Sequence, residues 1–266
     1  MALAPPDAVI VDLLVVDPVP HALQLIGVGP GDPELLTIAA VRAIETADVV
    51  AYPVARVDAD GMAWTIASRW TRSSQRRLPL VFPMVAEAEP RLKAWRHAAD
   101  ALASELRRDL SVVLLCEGDA SLFASSSYVQ LALRKQHPDL TVKLIPGVPA
   151  VCAAAAAGAE TGIDWPLALQ QDGVLIRPCP DHESDLERLL ESAQSNGMVL
   201  ALIKLGQRWP WVRACLERRQ LLEASLFAQR VGWPDQVLAR SIDIPAESKP
   251  YFSLLLIRQT WPEVLP

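Results

Sequence analysis

The sequence predicts an α/β protein of two α/β domains. The N-terminal one is built on a mostly parallel sheet with flanking helices, the C-terminal one on a smaller mixed sheet, and a ligand cleft lies between them. Three observations carry this prediction. Up to about residue 160, short apolar runs alternate with helix-periodic segments, the pattern of strands joined by crossover helices. Beyond it the strand-like runs crowd together and helices become fewer. Three of the early strands also end in glycine-bearing loops, at 27–31, 116–119 and 146–150, which in a parallel sheet share one edge.

Residues 1–20 carry Asp7, Asp12 and Asp17 and no basic stretch, so they read as an N-terminal extension rather than a secretory leader. The first domain is expected over 21–162 and the second over 163–266. The first strand, 23–28, runs into GVGPGDPELLT, where three glycines and two prolines leave the turn almost bare of side chains. A dinucleotide fingerprint needs GxGxxG and an acid about 20 residues on. Here Gly27, Gly29 and Gly31 are spaced GxGxG, Pro30 removes a backbone donor, and Asp48 precedes the second strand instead of ending it. That leaves two readings open: a backbone-lined hollow for a ligand, or a tight turn that lets strand and helix pack closely. Asp32 as cap, Pro33 in the first position and Glu34 in the first turn predict a helix over 33–46.

Strands follow at 48–52, 111–115 and 141–145, with helices near 62–71, 87–108 and 121–137. In the helix at 87–108, Leu92, Trp95, Ala99, Leu102 and Leu106 share one face. The loop CEGDASLF repeats the strand–glycine–helix theme: Gly118 permits close backbone approach, and Asp119 serves either as a helix cap or as an acceptor for a ligand. The loop IPGVPA does so again before an alanine-rich helix. Together the three loops describe a pocket of backbone and small side chains. It suits a neutral or zwitterionic ligand better than a triphosphate, for which GxxxxGK[ST] is absent. In the second half, strands are expected at 173–177, 198–204, 224–231 and 251–257, and helices near 183–194 and 210–219.

The net charge of −6 argues against general nucleic-acid affinity, and no apolar run is long enough to span a bilayer. Cys116, Cys152, Cys179 and Cys215 are far apart and show no metal-ligand spacing, so no structural metal and a reducing, cytoplasmic setting are expected. The clear charge run is Arg69, Arg72, Arg76 and Arg77.

GVGPGDPELLT, ADVVAYP (47–53), EGDASLF (117–123) and IPGVPA (145–150), in this order, resemble the tetrapyrrole methylase family. The likeness covers residues 22 to 258. LPLVFPM (78–84), ALIKLGQ (201–207) and YFSLLLIR (251–258) are similar to the branch that methylates carbon 20 of precorrin-2 or its cobalt form. The sequence departs from the family at Ala120, where proline is usual, and at Pro149, where a small hydroxyl residue is usual. Pro53 stands where the uroporphyrinogen branch carries an aspartate.

The resemblance implies a homodimer that binds S-adenosylmethionine and a tetrapyrrole, with no metal, no covalent enzyme intermediate and no named general base. It implies cofactor contacts at Pro30, Glu117, Gly118, Asp119, Leu122, Pro149, Ala150, Lys204 and Gly232, and substrate contacts at Gly29, Tyr52 and Arg56. A substrate with many carboxylates calls for cations, for which Arg56, the arginines at 69–77, Lys204 and Arg208 are candidates. Trp209 and Trp211 either stack on a flat ligand or pack in a core or a dimer contact.

Overall fold

Successive side chains of a strand face opposite sides of the sheet, so a strand covered on both faces must be apolar nearly throughout. The first strand, β1 (Ala22–Gly27), meets this condition: Leu23 and Leu25 enter one core and Ile26 enters another. The structure is a computed structural model that describes residues 22–85, 87–160 and 166–261. In it β1 lies beside β2 (Val49–Val54), β3 (Arg76–Val81), β4 (Val112–Cys116) and β5 (Thr141–Ile145), in the order β3-β2-β4-β1-β5. All four pairings are parallel. The extension expected over 1–20 lies outside the described residues, as does part of the connection near 162.

Two layers of helix cover this sheet. On the Ile26 face, α1 (Ile38–Thr46) and α2 (Met62–Ala67) contribute Ala40, Ile44 and Ile66. On the Leu23 face, α3 (Ala88–Leu106) and α4 (Ser125–Gln136) contribute Leu102, Leu106, Val129 and Leu133. Withdrawing each of these leucines from water stabilises the fold by about 1.5–3 kcal/mol. The expected apolar face of α3 is buried at Ala99, Leu102 and Leu106. Trp95 is half-buried and stacks on Tyr128 at 4.1 Å, and Leu92 stays in solvent.

The second sheet contains β6 (Gly173–Pro178), β7 (Met198–Ile203), β8 (Ser225–Gln229), β9 (Val237–Arg240) and β10 (Ser253–Ile257), in the order β6-β7-β10-β8-β9. Only β6 and β7 are parallel, so the sheet is mixed. One face carries α6 (Glu183–Ser195) and α7 (Trp209–Arg218), around Leu190, Phe227 and Trp209. Trp209 is fully buried there, with its indole N–H donated to the Pro245 carbonyl at 2.8 Å, so it is a core residue. Trp211 packs on the same core. The other face carries α5 (Ala150–Glu160), whose Val151 and Ala154 meet Ala201, Leu226 and Leu256. Although α5 follows β5, it packs on the second sheet, so the chain changes sheets at Pro146–Pro149.

The structure differs from the sequence expectation in four places. The helix expected over 33–46 is broken, because Asp32 caps a single 3-10 turn (Pro33–Leu35) and Thr37 then caps α1, accepting from the Ala40 N–H at 3.1 Å. The helix expected from 121 begins only at Ser125. Asp119 holds Ser121 in the loop, and Phe123 takes a left-handed backbone (φ 54). Strands β3 and β9 were not expected. Both are edge strands, and Pro79 is tolerated in β3 because an edge leaves one side of the ladder unpaired.

Candidate active site

The bare loops are explained by how closely their backbones approach. A Cβ on Gly27 would stand 2.6 Å from the Gly147 nitrogen and 2.7 Å from the Gly118 oxygen, and a Cβ on Gly147 would collide with that same oxygen. Gly29 and Gly118 exchange backbone hydrogen bonds, Gly29 N–H to Gly118 O at 3.1 Å and Gly118 N–H to Gly29 O at 2.8 Å. The loops after β1, β4 and β5 therefore meet at the carboxyl edge of the first sheet, where ligands bind in open α/β folds.

The second half closes on the same loop from the other side. The Trp233 indole donates to the Pro30 carbonyl at 2.9 Å, and a Cβ on Gly31 would stand 2.5 Å from the Val231 oxygen. Between the halves lies a cavity of about 400 Å³. Its wall takes Pro30, Glu117, Gly118, Asp119, Leu122, Pro149 and Ala150 from the three loops, and Ile203, Lys204, Val231 and Phe252 from the second sheet and its connections. Most of the wall is apolar, as ligand pockets usually are.

Two carboxyl groups on this wall, two residues apart, are pushed in opposite directions. Burial raises Glu117 above the usual range, outweighing hydrogen bonds from its own N–H and from the Ala63 N–H at 3.2 Å. Burial also acts upward on Asp119. There, hydrogen bonds from the Ser121 hydroxyl, the Gly147 N–H and the Ser121 N–H win, so its carboxyl lies below the usual value. Of the two roles open to Asp119, it takes neither a helix cap nor a wholly free acceptor: it ties its own loop to the loop after β5. Cys116, beside them, is buried with its thiol pushed up to about 12, so it is inert.

Gly118 tests whether an adenosyl ligand fits. It has φ 68, and no atom lies within 4 Å of where its Cβ would be, so bare backbone faces open space at the cavity wall. A flat group has room to lie against it.

Residues 22–242 match the family described as Tetrapyrrole (Corrin/Porphyrin) Methylases. The chain belongs to this family. The methylase is 27% identical over 241 residues to cobalt-precorrin-2 C(20)-methyltransferase of Salmonella typhimurium, covering 90% of this chain and 97% of the relative. It is also 27% identical to precorrin-2 C(20)-methyltransferase of a Sinorhizobium species, over 87% and 93% of the two chains. Among solved structures, the cobalt precorrin-4 methyltransferase CbiF superposes with a TM-score of 0.65 at 22% identity, over 92% of this chain and 98% of that one. A Thermus thermophilus uroporphyrin-III C-methyltransferase, solved with S-adenosylhomocysteine, gives 0.58 at 21% identity, over 88% and 91%. These likenesses place the methylase in the two-domain fold of the family.

Of the residues singled out in the sequence, eight line the cavity of the methylase: Pro30, Glu117, Gly118, Asp119, Leu122, Pro149, Ala150 and Lys204. Gly232, Gly29, Tyr52 and Arg56 do not. Gly232 abuts the backbone of Asp32, and Gly29 is consumed in its backbone pair with Gly118. Tyr52 is buried against Trp64, at 5.0 Å between ring centroids, and Arg56 is exposed next to Ala55 on the wall. The candidate cations also divide. Arg69 pairs with Glu34, Arg76 with Glu105 at 2.6 Å and Arg208 with Asp181, while Arg77 stacks on Trp64 at 4.3 Å. Among the described residues, Lys204 alone of the lysines and arginines reaches the wall. It holds a left-handed backbone (φ 62), an unusual conformation for a residue with a side chain.

The sequence reading missed several wall residues: Asp60, Met62, Phe123 and Ser125 among them. Phe82, Met84, Tyr251 and Phe252 also line the cavity, and they lie in the two segments (78–84 and 251–258) that carried the resemblance to one branch. Among the described residues no helix is long and apolar enough to cross a membrane.

Proposed function

We propose that this methylase transfers the methyl group of S-adenosylmethionine to carbon 20 of precorrin-2, or of cobalt-precorrin-2, in cobalamin biosynthesis. The observation that carries this reading is the cavity itself, which forms where three glycine loops of the first half meet the second half. The cofactor supplies a methyl group already activated on a sulfonium. The task left to the protein is to orient the reactants and exclude water, and an apolar wall broken by few charges suits it. In this reading Gly118 and Ala150 leave room for the adenosyl group, Pro30 and Leu122 flank it, and Lys204 offers a cation to a carboxylate.

Glu117, Asp119 and Pro149 belong to the same cofactor wall, and Gly232 supports it from behind. Arg56, Gly29 and Tyr52 are assigned to the substrate side. The choice of carbon rests on the relatives acting on precorrin-2, which match nearly their full length, and on Pro53 in place of an aspartate. A second reading, a sister carbon, has a narrower basis: a cobalt-precorrin-4 C(11)-methyltransferase of Priestia megaterium is 27% identical over 60% of this chain. A homodimer in the cytoplasm is part of the proposal.

Incubating the full chain with precorrin-2 and carbon-13-labelled S-adenosylmethionine, then assigning the new methyl by NMR, tests it. A label at carbon 20 is the expected result. A label elsewhere supports the sister reading, and equilibrium binding of S-adenosylhomocysteine tests the cofactor independently.

A further inference from the structure

We propose that Glu117 is the proton acceptor of the carbon methylation. The inference rests on the methyl-transfer reading above and gives it the base that the sequence did not name.

Replacing hydrogen by methyl on an unsaturated carbon leaves one proton over. As the new carbon–carbon bond forms, the sulfur–methyl bond breaks with its electron pair staying on sulfur. The carbon's C–H bond then breaks, its pair returns to the macrocycle, and the proton must go to a base. Six titratable groups stand on the described cavity wall: Asp60 from the loop before α2, Cys116, Glu117 and Asp119 from β4 and its loop, and Lys204 and Tyr251 from the second half.

Geometry and charge narrow these. Asp119 is held by Ser121 and by the Gly147 N–H at 2.9 Å, and moving it would loosen the loops that form the site. The buried Cys116 thiol lies against the Ile26 carbonyl at 3.4 Å, behind the wall. Lys204 offers only N–H donors and Tyr251 a phenolic hydroxyl, so neither presents a carboxylate acceptor. Asp60 is exposed, with water around it.

Glu117 is at the end of a fully buried strand and only partly accessible. Its carboxylate accepts from Ala63 N–H, which steadies the first turn of α2 and fixes the side chain. A carboxylate offers about four acceptor positions, so these backbone contacts leave room for a proton. Burial strengthens it as a base relative to a solvated glutamate, and the opposite shift of Asp119 keeps the neighbouring group anionic.

The test is Glu117→Gln, whose amide oxygen can keep the bond from Ala63, with Glu117→Asp beside it. Expected for the glutamine variant is a turnover number about a hundredfold lower. The acidic limb of the pH–rate profile should be lost, and a rising primary isotope effect with substrate deuterated at the reacting carbon should appear. Glu117→Asp should restore part of the rate and a shifted acidic limb.

A readout independent of turnover is the carboxyl titration in the unliganded full chain labelled with carbon-13 glutamate. One resonance should titrate above the usual glutamate range and vanish in Glu117→Gln. A glutamine variant with parental turnover and an intact acidic limb overturns the assignment, as does the absence of that resonance. If the parent itself methylates no tetrapyrrole while the resonance is present, the methyl-transfer reading fails, and the proton-acceptor role falls with it.

Discussion

The Asp119 carboxylate accepts the Gly147 N–H at 2.9 Å, joining the loop after β4 to the loop after β5 across 28 residues of sequence. Its other oxygen holds the Ser121 N–H at 2.8 Å. One side chain thus sets the separation of two of the three loops around the cavity. Asp119→Ala should destabilise the chain by about 1–3 kcal/mol, the usual cost of losing hydrogen bonds to a charged group, and should weaken S-adenosylhomocysteine binding by more than tenfold. Urea unfolding and calorimetric titration measure the two effects.

The same carboxyl carries a pH dependence. Because its value is depressed in the folded chain, the stability it adds is complete above the ordinary aspartate value of 3.8 and is lost as the pH falls through the lower folded value. Unfolding midpoints of the parent and of Asp119→Asn should therefore converge in strong acid and stand apart above about pH 4. A constant gap across that range would show that the tether does not depend on charge.

Glycine positions in the site should separate packing from backbone conformation. Gly147→Ala forces a Cβ into the Gly118 carbonyl, and backbone cannot yield as a flexible side chain does. It should cost at least about 1–3 kcal/mol, the range for overpacking. Gly118→Ala meets no atom within 4 Å but must keep φ 68. Its stability loss should be about 1–2 kcal/mol, with a larger loss of ligand affinity because the new methyl group enters the cavity. Parallel denaturation and binding measurements distinguish the two.

Arg258 and Asp172 form a buried ion pair at 2.7 Å, and the same guanidinium holds the Pro166 carbonyl at 3.0 Å. The pair fastens the connection that enters the second half. Arg258→Met leaves a buried carboxylate without its partner and should cost about 3–5 kcal/mol. The double variant Arg258→Met with Asp172→Leu should recover much of that loss. Thermal unfolding of the parent, the single variants and the double variant completes the cycle.

Thiol reactivity should follow exposure. Cys116 and Cys179 are buried and each is pushed up to about 12 by burial, Cys215 is buried and shifted upward, and Cys152 alone is exposed. A native titration with an aromatic disulfide reagent at pH 8 should show one accessible thiol, removed by Cys152→Ser. The other three should react only on unfolding.

Local patterns made most of the architecture legible. Continuous apolar runs marked β1, β2 and β4 because strands covered on both faces need them, and the spacing of Ala99, Leu102 and Leu106 marked α3. The failures have equally local causes. Pro79 hid β3, since proline argues against a strand until the strand is known to lie at an edge. Thr37 gives a weaker sign of a helix start than Asp32 followed by Pro33, so the break before α1 does not show in the sequence. A cavity residue such as Met62 carried no signal, as an apolar side chain on a wall looks like core in a sequence.

By itself, the sequence determined that strands alternate with helices, that the pattern changes past residue 160, and that three strand ends are stripped of side chains. Only the tertiary structure decided what those ends are for. Gly27, Gly118 and Gly147 are distant in sequence, and their close approach depends on the order in which parallel strands pair. The same holds in part for Glu117 and Asp119: the sequence shows two acids, and burial raises the first while hydrogen bonds from the nearby Ser121 and the distant Gly147 N–H lower the second. Propensity acts between near neighbours, whereas burial and backbone contact arise only when distant segments are brought together.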